Sequence, residues 1–176
     1  MNKYHKWLNE SFQRVAKDFI DEISRPQNES DIKCHLYHTL LQTKMRIEGL
    51  TLRHIVLSEF PVPTSQERID LALGWWRKKD KIFEPRLLVE IKETSLAHLS
   101  AEEVEKRIIG DIDKLRKFRK MLEEEQNAQI LKHFTTPVVV FFFRGANKQG
   151  IAVKTNQEMK KLQGRYDDVI ILWGPS

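Results

Sequence analysis

Apolar residues recur along this chain in three rhythms, and each predicts a different kind of element. Tyr4, Leu8, Phe12, Val15, Phe19 and Ile23 fall at steps of three and four, the spacing of an amphipathic helix that Pro26 ends. Ile32, Leu36 and Leu40 predict a second helix, with Asn28 as its N-cap, Asp31 in its first turn and Gly49 as its stop. Three residues back from Ile32 stands Glu29, so Glu29 extends the buried stripe and Asp31 lies off it.

The rhythm then shortens to two. Leu52 to Phe60 predicts a strand with Leu52, His54, Val56 and Ser58 on one face, and Pro61 to Gln66 a turn. In the stretch from Glu67 to Leu73, Ile69, Leu71 and Leu73 share a face and Asp70 takes the other. A charged loop, Arg77 to Lys81, leads to a third strand from Arg86. There Leu87, Val89 and Ile91 point one way, and Leu88, Glu90 and Lys92 the other. Short connections predict an antiparallel meander.

Ser100 to Glu103 reads as a capping box opening a long helix with Val104, Ile108, Ile112, Leu115, Phe118 and Leu122 as its core stripe. The stretch from Gln126 to Thr136 is ambiguous. The third rhythm is an unbroken apolar run, Val138 to Phe143, typical of a strand buried on both faces. A loop from Arg144 to Gly150, a second capping box from Thr155 to Glu158, a short helix ending near Gly164 and a last strand, Val169 to Trp173, complete the chain. The expected fold class is α/β, more closely an α+β mixed sheet with helices packed against it.

Composition narrows this picture. A length of 176 residues suits one domain spanning 1–176, and 40% hydrophobic with 31% charged residues suits a soluble globular protein. A formal charge of +5 favours a polyanionic partner. The single cysteine, Cys34, excludes an internal disulfide and a cysteine-rich zinc site, and suits a cytoplasmic setting. No apolar run approaches membrane-spanning length, and the first residues do not read as a secretory signal.

The chemistry concentrates on the second and third strands. Charges on one face of strands this apolar are costly unless they pair or bind an ion. In an antiparallel hairpin Asp70 and Glu90 can lie side by side, with Lys92 next to them. Two carboxylates make a hard oxygen site for a divalent cation, and a lysine beside them can hold or deprotonate a water. The alternative is a cross-strand ion pair on a solvated face.

The element order and these charged positions together resemble the PD-(D/E)xK nuclease superfamily, whose restriction-endonuclease-like core runs helix, three-strand meander, helix, strand. Asp70 in Arg68-Ile69-Asp70 matches the first acid, and Glu90-Ile91-Lys92 the acid and lysine. Ile69 stands where the family has proline. The resemblance covers about residues 28–143, leaving an extra N-terminal helix and a C-terminal helix and strand outside it. It implies a nuclease that depends on Mg²⁺, with Mn²⁺ able to substitute, and hydrolyses phosphodiester bonds of nucleic acid, DNA foremost. Asp70, Glu90 and the backbone carbonyl of Ile91 would hold the metal, and Lys92 would orient the water or stabilise developing charge. Glu29, on the preceding helix, would complete the catalytic set. Asp113 and Lys114 are candidates for the polar or basic residue that relatives place on the helix after the lysine.

Other cations invite a nucleic-acid contact: Arg77, Lys78 and Lys79 beside Trp75 and Trp76, and Lys114 and Lys117 on the long helix. A core tryptophan with solvated lysines is the favoured account of the former. His35, His38 and Cys34 lack further ligands for a metal. A homodimer or a larger complex fits the resemblance. A nuclease-like protein that does not cut, serving as a DNA-binding or assembly subunit of a defence, repair or mobile-element system, is the alternative function.

Overall fold

The computed structural model describes residues 2–20, 28–61, 66–79, 81–94, 100–125, 135–143 and 149–174. It is an α+β protein. Among the described residues a five-stranded mixed sheet lies between helices on both faces. The elements run α1 (Lys3–Ile20), α2 (Glu29–Thr43), β1 (His54–Pro61), β2 (Arg68–Arg77), β3 (Ile82–Thr94), α3 (Ala101–Glu125), β4 (Thr136–Phe143), α4 (Gln149–Gln163) and β5 (Ile170–Gly174). The strands lie in sequence order across the sheet. β1, β2 and β3 form the expected antiparallel meander, and β4 and β5 add in parallel.

Two cores follow from alternation on the strands. One face carries Leu71, Leu73, Leu87, Val89, Ile91, Val138, Val140 and Phe142, covered by α1 and α2. The other carries Ala72, Leu88, Val139, Phe141 and Phe143, covered by α3 and α4. The unbroken run of β4 feeds both, which is why it lacks polar positions. The α3 stripe is buried throughout. Ser100 and Glu103 form the expected reciprocal cap, with the Ser100 N–H on Glu103 Oε2 at 2.7 Å and the Glu103 N–H on Ser100 Oγ at 3.3 Å. α1 packs on the sheet through Trp7, Leu8 and Phe12, and Trp7 Nε1 donates to the Leu40 carbonyl of α2 at 2.8 Å. None of the described helices is long and apolar enough to cross a membrane.

Several expectations change. α2 starts on Asn28, whose side chain accepts from the Asp31 N–H, but ends at Thr43. A 3₁₀ turn, Lys44–Arg46, precedes Gly49, which takes a positive φ of 79°. α4 begins at Gln149, so Thr155 lies inside the helix and opens nothing. Glu158 caps a different helix, accepting from the Ala101 N–H at the start of α3 at 3.0 Å. Ile23, Pro26 and most of the 126–136 stretch lie outside the described residues.

Strict alternation also fails at two places in the meander. Ile69 packs in the α3 core, whereas Leu71, two residues on, packs in the α2 core. The β1–β2 ladder skips the pair Glu59 and Asp70, and Glu59 has φ 52°. Ser58 still faces Leu71 and Phe60 still faces Ile69, so the two strands roll over together without losing register. The second break is a bulge. Leu73 faces Leu87 but Gly74 faces Pro85, leaving Arg86 as the extra residue. A Cβ on Gly74 would lie 2.2 Å from the Glu84 carbonyl oxygen, so this position requires glycine.

Candidate functional site

The roll at Asp70 turns its side chain toward β3. The β2–β3 ladder ends at Leu71 and Val89. Beyond it, the Ile91 N–H donates to Asp70 Oδ2 at 2.9 Å, so a side chain takes over a ladder hydrogen bond. The N–H and C=O of one strand residue point to the same side, which puts the Ile91 carbonyl on the edge facing β2.

Helices on opposite faces of the sheet reach this opening. From α2, Lys33 lies 3.4 Å from Asp70 Oδ1 and also pairs with Glu59. Glu29 Oε1 lies 3.5 Å from Lys92 Nζ. From α3, Asp111 Oδ2 lies 3.7 Å from the same ammonium, and Lys114 Nζ lies 2.6 Å from Glu90 Oε1. Lys114 also donates to the Arg68 carbonyl at 2.9 Å. Asp70, Glu90, Lys92 and Glu29 are thus brought together as the sequence predicts.

Five carboxylates (Glu29, Glu59, Asp70, Glu90, Asp111) face three ammoniums (Lys33, Lys92, Lys114), a formal excess of two negative charges. Glu90 is the most enclosed, at 3% exposure. Its burial, and then the Asp70 charge, push its pKa up to about 8 against the pull of Lys114. Lys114 approaches Oε1 off the hydrogen-bonding direction. That oxygen therefore has a charge partner but no aligned donor among the described residues, as does Asp111 Oδ2. Burial also raises the pKa of Glu29 and of Asp111, opposed by Lys92 in both. Burial alone would lower Lys92, but Asp111, Glu29, Glu90 and Asp70 outweigh it and raise its pKa.

The other predicted cations separate from one another. Lys114 belongs to the cluster, where it neutralises Glu90, instead of forming a basic surface. Lys117, one turn on, is exposed. Arg77, Lys78 and Lys79 lie at the far end of β2, seven residues or about 23 Å of strand from Asp70. Arg77 is spent on Glu84, with Nη1 3.2 Å from Oε1. Lys78 and Lys79 are exposed there, and Trp75 is half-buried. Asp113 is exposed, whereas Asp111 faces the site. His35 pairs with Asp18 and His38 with Gln42, which accounts for both without a metal.

Asp111, Lys33 and Glu59 are the residues that sequence reasoning missed, and the first two were within its reach. Both carry the helical signal: Asp111 sits three after Ile108 and four before Leu115, and Lys33 four after Glu29 and three before Leu36. A charge on a buried stripe is a sign that something opposite neutralises it.

Among the described residues no group of three or more His, Cys, Asp or Glu side chains is disposed to hold a metal ion as it stands. An ammonium already lies against Asp70, Glu90, Asp111 and Glu29. Comparison with protein-family models, curated proteins and solved structures finds no match to this chain.

Proposed function

We propose that this protein is a metal-dependent nuclease that hydrolyses phosphodiester bonds of nucleic acid, DNA foremost. The restriction-endonuclease-like core would be α2, β1 to β3, α3 and β4. One observation carries this reading: Asp70, Glu90 and Lys92 converge where β2 and β3 part, with Glu29 reaching them from α2. A cross-strand ion pair on a solvated face does not account for Glu90, which is buried and short of positive charge.

The donor set fits a hard divalent cation. It is all oxygen, it carries excess negative charge, and Glu90 Oε1 lacks an aligned hydrogen-bond donor. Asp70, Glu90 and the Ile91 carbonyl would hold Mg²⁺ or Mn²⁺, which when bound would polarise the scissile phosphate and acidify a water. The chain's own groups do the rest. Lys92, kept protonated by the carboxylates around it, orients the attacking water or stabilises charge developing on the phosphorane oxygens. Glu29 and Asp111 fix the Lys92 ammonium from two helices, so its position does not depend on one flexible side chain. Lys114 and Lys33 balance Glu90 and Asp70 until the cation arrives.

A second reading has its own support. Every carboxylate in the cluster already has an ammonium within ion-pair distance, as in a structural network that fastens α2 and α3 to the sheet. A non-cleaving DNA-binding or assembly subunit would need no more.

The test is cleavage of supercoiled plasmid and of labelled single-stranded DNA and RNA, with Mg²⁺, Mn²⁺ or EDTA. Asp70→Ala is the control. Metal-dependent cutting lost in the variant supports the nuclease and identifies its substrate class. No cutting and no effect of metal on the melting temperature favour the structural network.

A further inference from the structure

Of the five carboxylates around the opening between β2 and β3, Glu59 alone has no part in the nuclease mechanism. Its place in the sheet is unusual. The β1–β2 ladder runs through Ser58 with Leu71 and Phe60 with Ile69, so Glu59 and Asp70 stand opposite each other at the step it skips, with Glu59 at φ 52°. Like charges opposite each other on neighbouring strands repel. Lys33 of α2 relieves this. Its ammonium donates to Glu59 Oε1 and to Asp70 Oδ1, the second at 3.4 Å. A positive charge thus lies between carboxylates of adjacent strands, where a bound cation would lie between two such ligands.

Asp70 is divided between two sides. Its Oδ2 accepts the Ile91 N–H at 2.9 Å and faces β3, which carries Glu90 and the Ile91 carbonyl. Its Oδ1 faces Lys33. A carboxylate whose two oxygens serve two cation positions is suited to a two-metal phosphodiester site, in which ions about 3.5–4 Å apart stabilise the attacking and the leaving oxygen. Here one of those positions already holds a fixed positive charge.

Lys33 differs in this from Lys114. Lys114 pairs with Glu90, and its second acceptor is the neutral Arg68 carbonyl. Lys33 has a second carboxylate, Glu59, outside the set that would hold the metal. When a cation takes over Asp70, Lys33 keeps an anionic partner and has no electrostatic reason to leave. Its side chain is enclosed but not sealed, at 19% exposure. An ammonium has three protons, and the two bonds to Glu59 and Asp70 leave one for a phosphate oxygen.

Building on the nuclease reading, we propose that Lys33 stands in for a second metal ion. The site takes one divalent cation, held by Asp70, Glu90 and the Ile91 carbonyl, and the Lys33 ammonium supplies the second positive charge to the phosphate oxygens. Glu59 is a positioning residue that keeps Lys33 in place.

The experiment counts Mn²⁺ bound per full chain, without nucleic acid, from the electron paramagnetic resonance of the free ion during a titration. The wild-type protein should bind one ion. Lys33→Ala should bind two, and so should Lys33→Met, which keeps an apolar stem against α2. Combining Lys33→Ala with Glu59→Ala should return the count to one, and Lys33→Arg, which keeps the charge, should leave it at one. A purely structural Lys33 would lower stability without adding an ion. In cleavage, Lys33→Ala should be about a hundredfold slower at the Mn²⁺ level that saturates the wild type, and should recover as the second ion binds. Two ions on the wild type overturn the proposal and leave the nuclease reading in place. So does one ion on both Lys33→Ala and Lys33→Met with circular dichroism unchanged, or a wild-type rate for Lys33→Ala at the lower Mn²⁺ level. No ion and no cleavage with the wild type removes both.

Discussion

Glu84 and Glu90 stand six residues apart on β3 and are buried to nearly the same degree, at 6% and 3% exposure. By parity they should share a face. They do not, because the bulge at Arg86 reverses the strand between them. Phe83 and Leu87, also of equal parity, fall into opposite cores for the same reason. The electrostatic contrast is sharper. Glu84 lies between two guanidiniums, whereas Glu90 has one ammonium and faces Asp70. One carboxylate has two cations against it, and the other has one cation and a second carboxylate. Burial alone therefore does not mark a reactive acid; the charge balance around it does.

Activity should separate the two carboxylates most. Under the nuclease reading, Asp70→Ala and Lys92→Ala each lower cleavage by at least about a thousandfold. Lys92→Ala leaves DNA affinity nearly unchanged, and Glu84→Gln leaves the cleavage rate nearly unchanged. Single-turnover plasmid cleavage beside a DNA-binding titration checks this, and a Lys92→Ala protein that cuts normally removes the mechanism.

The bulge comes next. Gly74→Ala sets a Cβ against the Glu84 carbonyl and should cost several kcal/mol, about 3 or more, in urea unfolding. If it is tolerated, Glu84 and Glu90 are not held on opposite faces by Gly74.

Titration gives the third contrast. The folded state raises the Glu90 pKa from its ordinary value of 4.5 to about 8. Stability linked to its proton is fully present below the ordinary value, declines as pH rises and is gone above about 8. Glu29 and Asp111 act in the same direction. In EDTA the Glu90 contribution to the unfolding free energy should fall by a few kcal/mol, roughly 2–4, between about pH 5 and 8, offset in part up to about pH 6.5 by His54, whose lowered pKa adds stability as pH rises. Glu90→Gln should flatten that decline. Mg²⁺ must displace the proton, so its stabilising effect should grow over the same interval. A pH profile unchanged by Glu90→Gln would mean that Glu90 is ionised throughout.

Two smaller effects complete the series. Glu84→Gln leaves Arg77 and Arg86 facing each other and should cost about 1–3 kcal/mol, reduced in part because Arg77 is partly exposed. Asp111→Asn removes one of the two carboxylates beside Lys92. It should lower cleavage about tenfold, with less than about 1 kcal/mol of stability lost. Equal losses for Asp111→Asn and Asp113→Asn would show that facing Lys92 is unimportant.

The meander, the double-sided β4 and the Asp70, Glu90 and Lys92 grouping were legible because period-two alternation is a local property. Glu29 was legible through its place on a helical stripe. What the sequence hid depends on backbone irregularity and on distant partners. The roll at Glu59 and the bulge at Arg86 each reverse a face, so Ile69 leaves the core that alternation assigns it. Lys114 reads as one of many cations on α3 until Glu90 is seen 2.6 Å away. Thr155 to Glu158 has the letters of a capping box, but the helix had already begun upstream, and Glu158 serves α3 instead.

That last contact bears on the order in which the protein is made. A ribosome delivers Ala101 well before Glu158, 57 residues later. The nascent α3 thus emerges with only its local Ser100 and Glu103 cap, and its first amide waits for α4. β4 and β5 join the sheet on either side of α4 in sequence. The helix that presents Lys114 and Asp111 would therefore be fastened at its start only as the final elements dock, which makes completion of the site a late event in the life of each new chain.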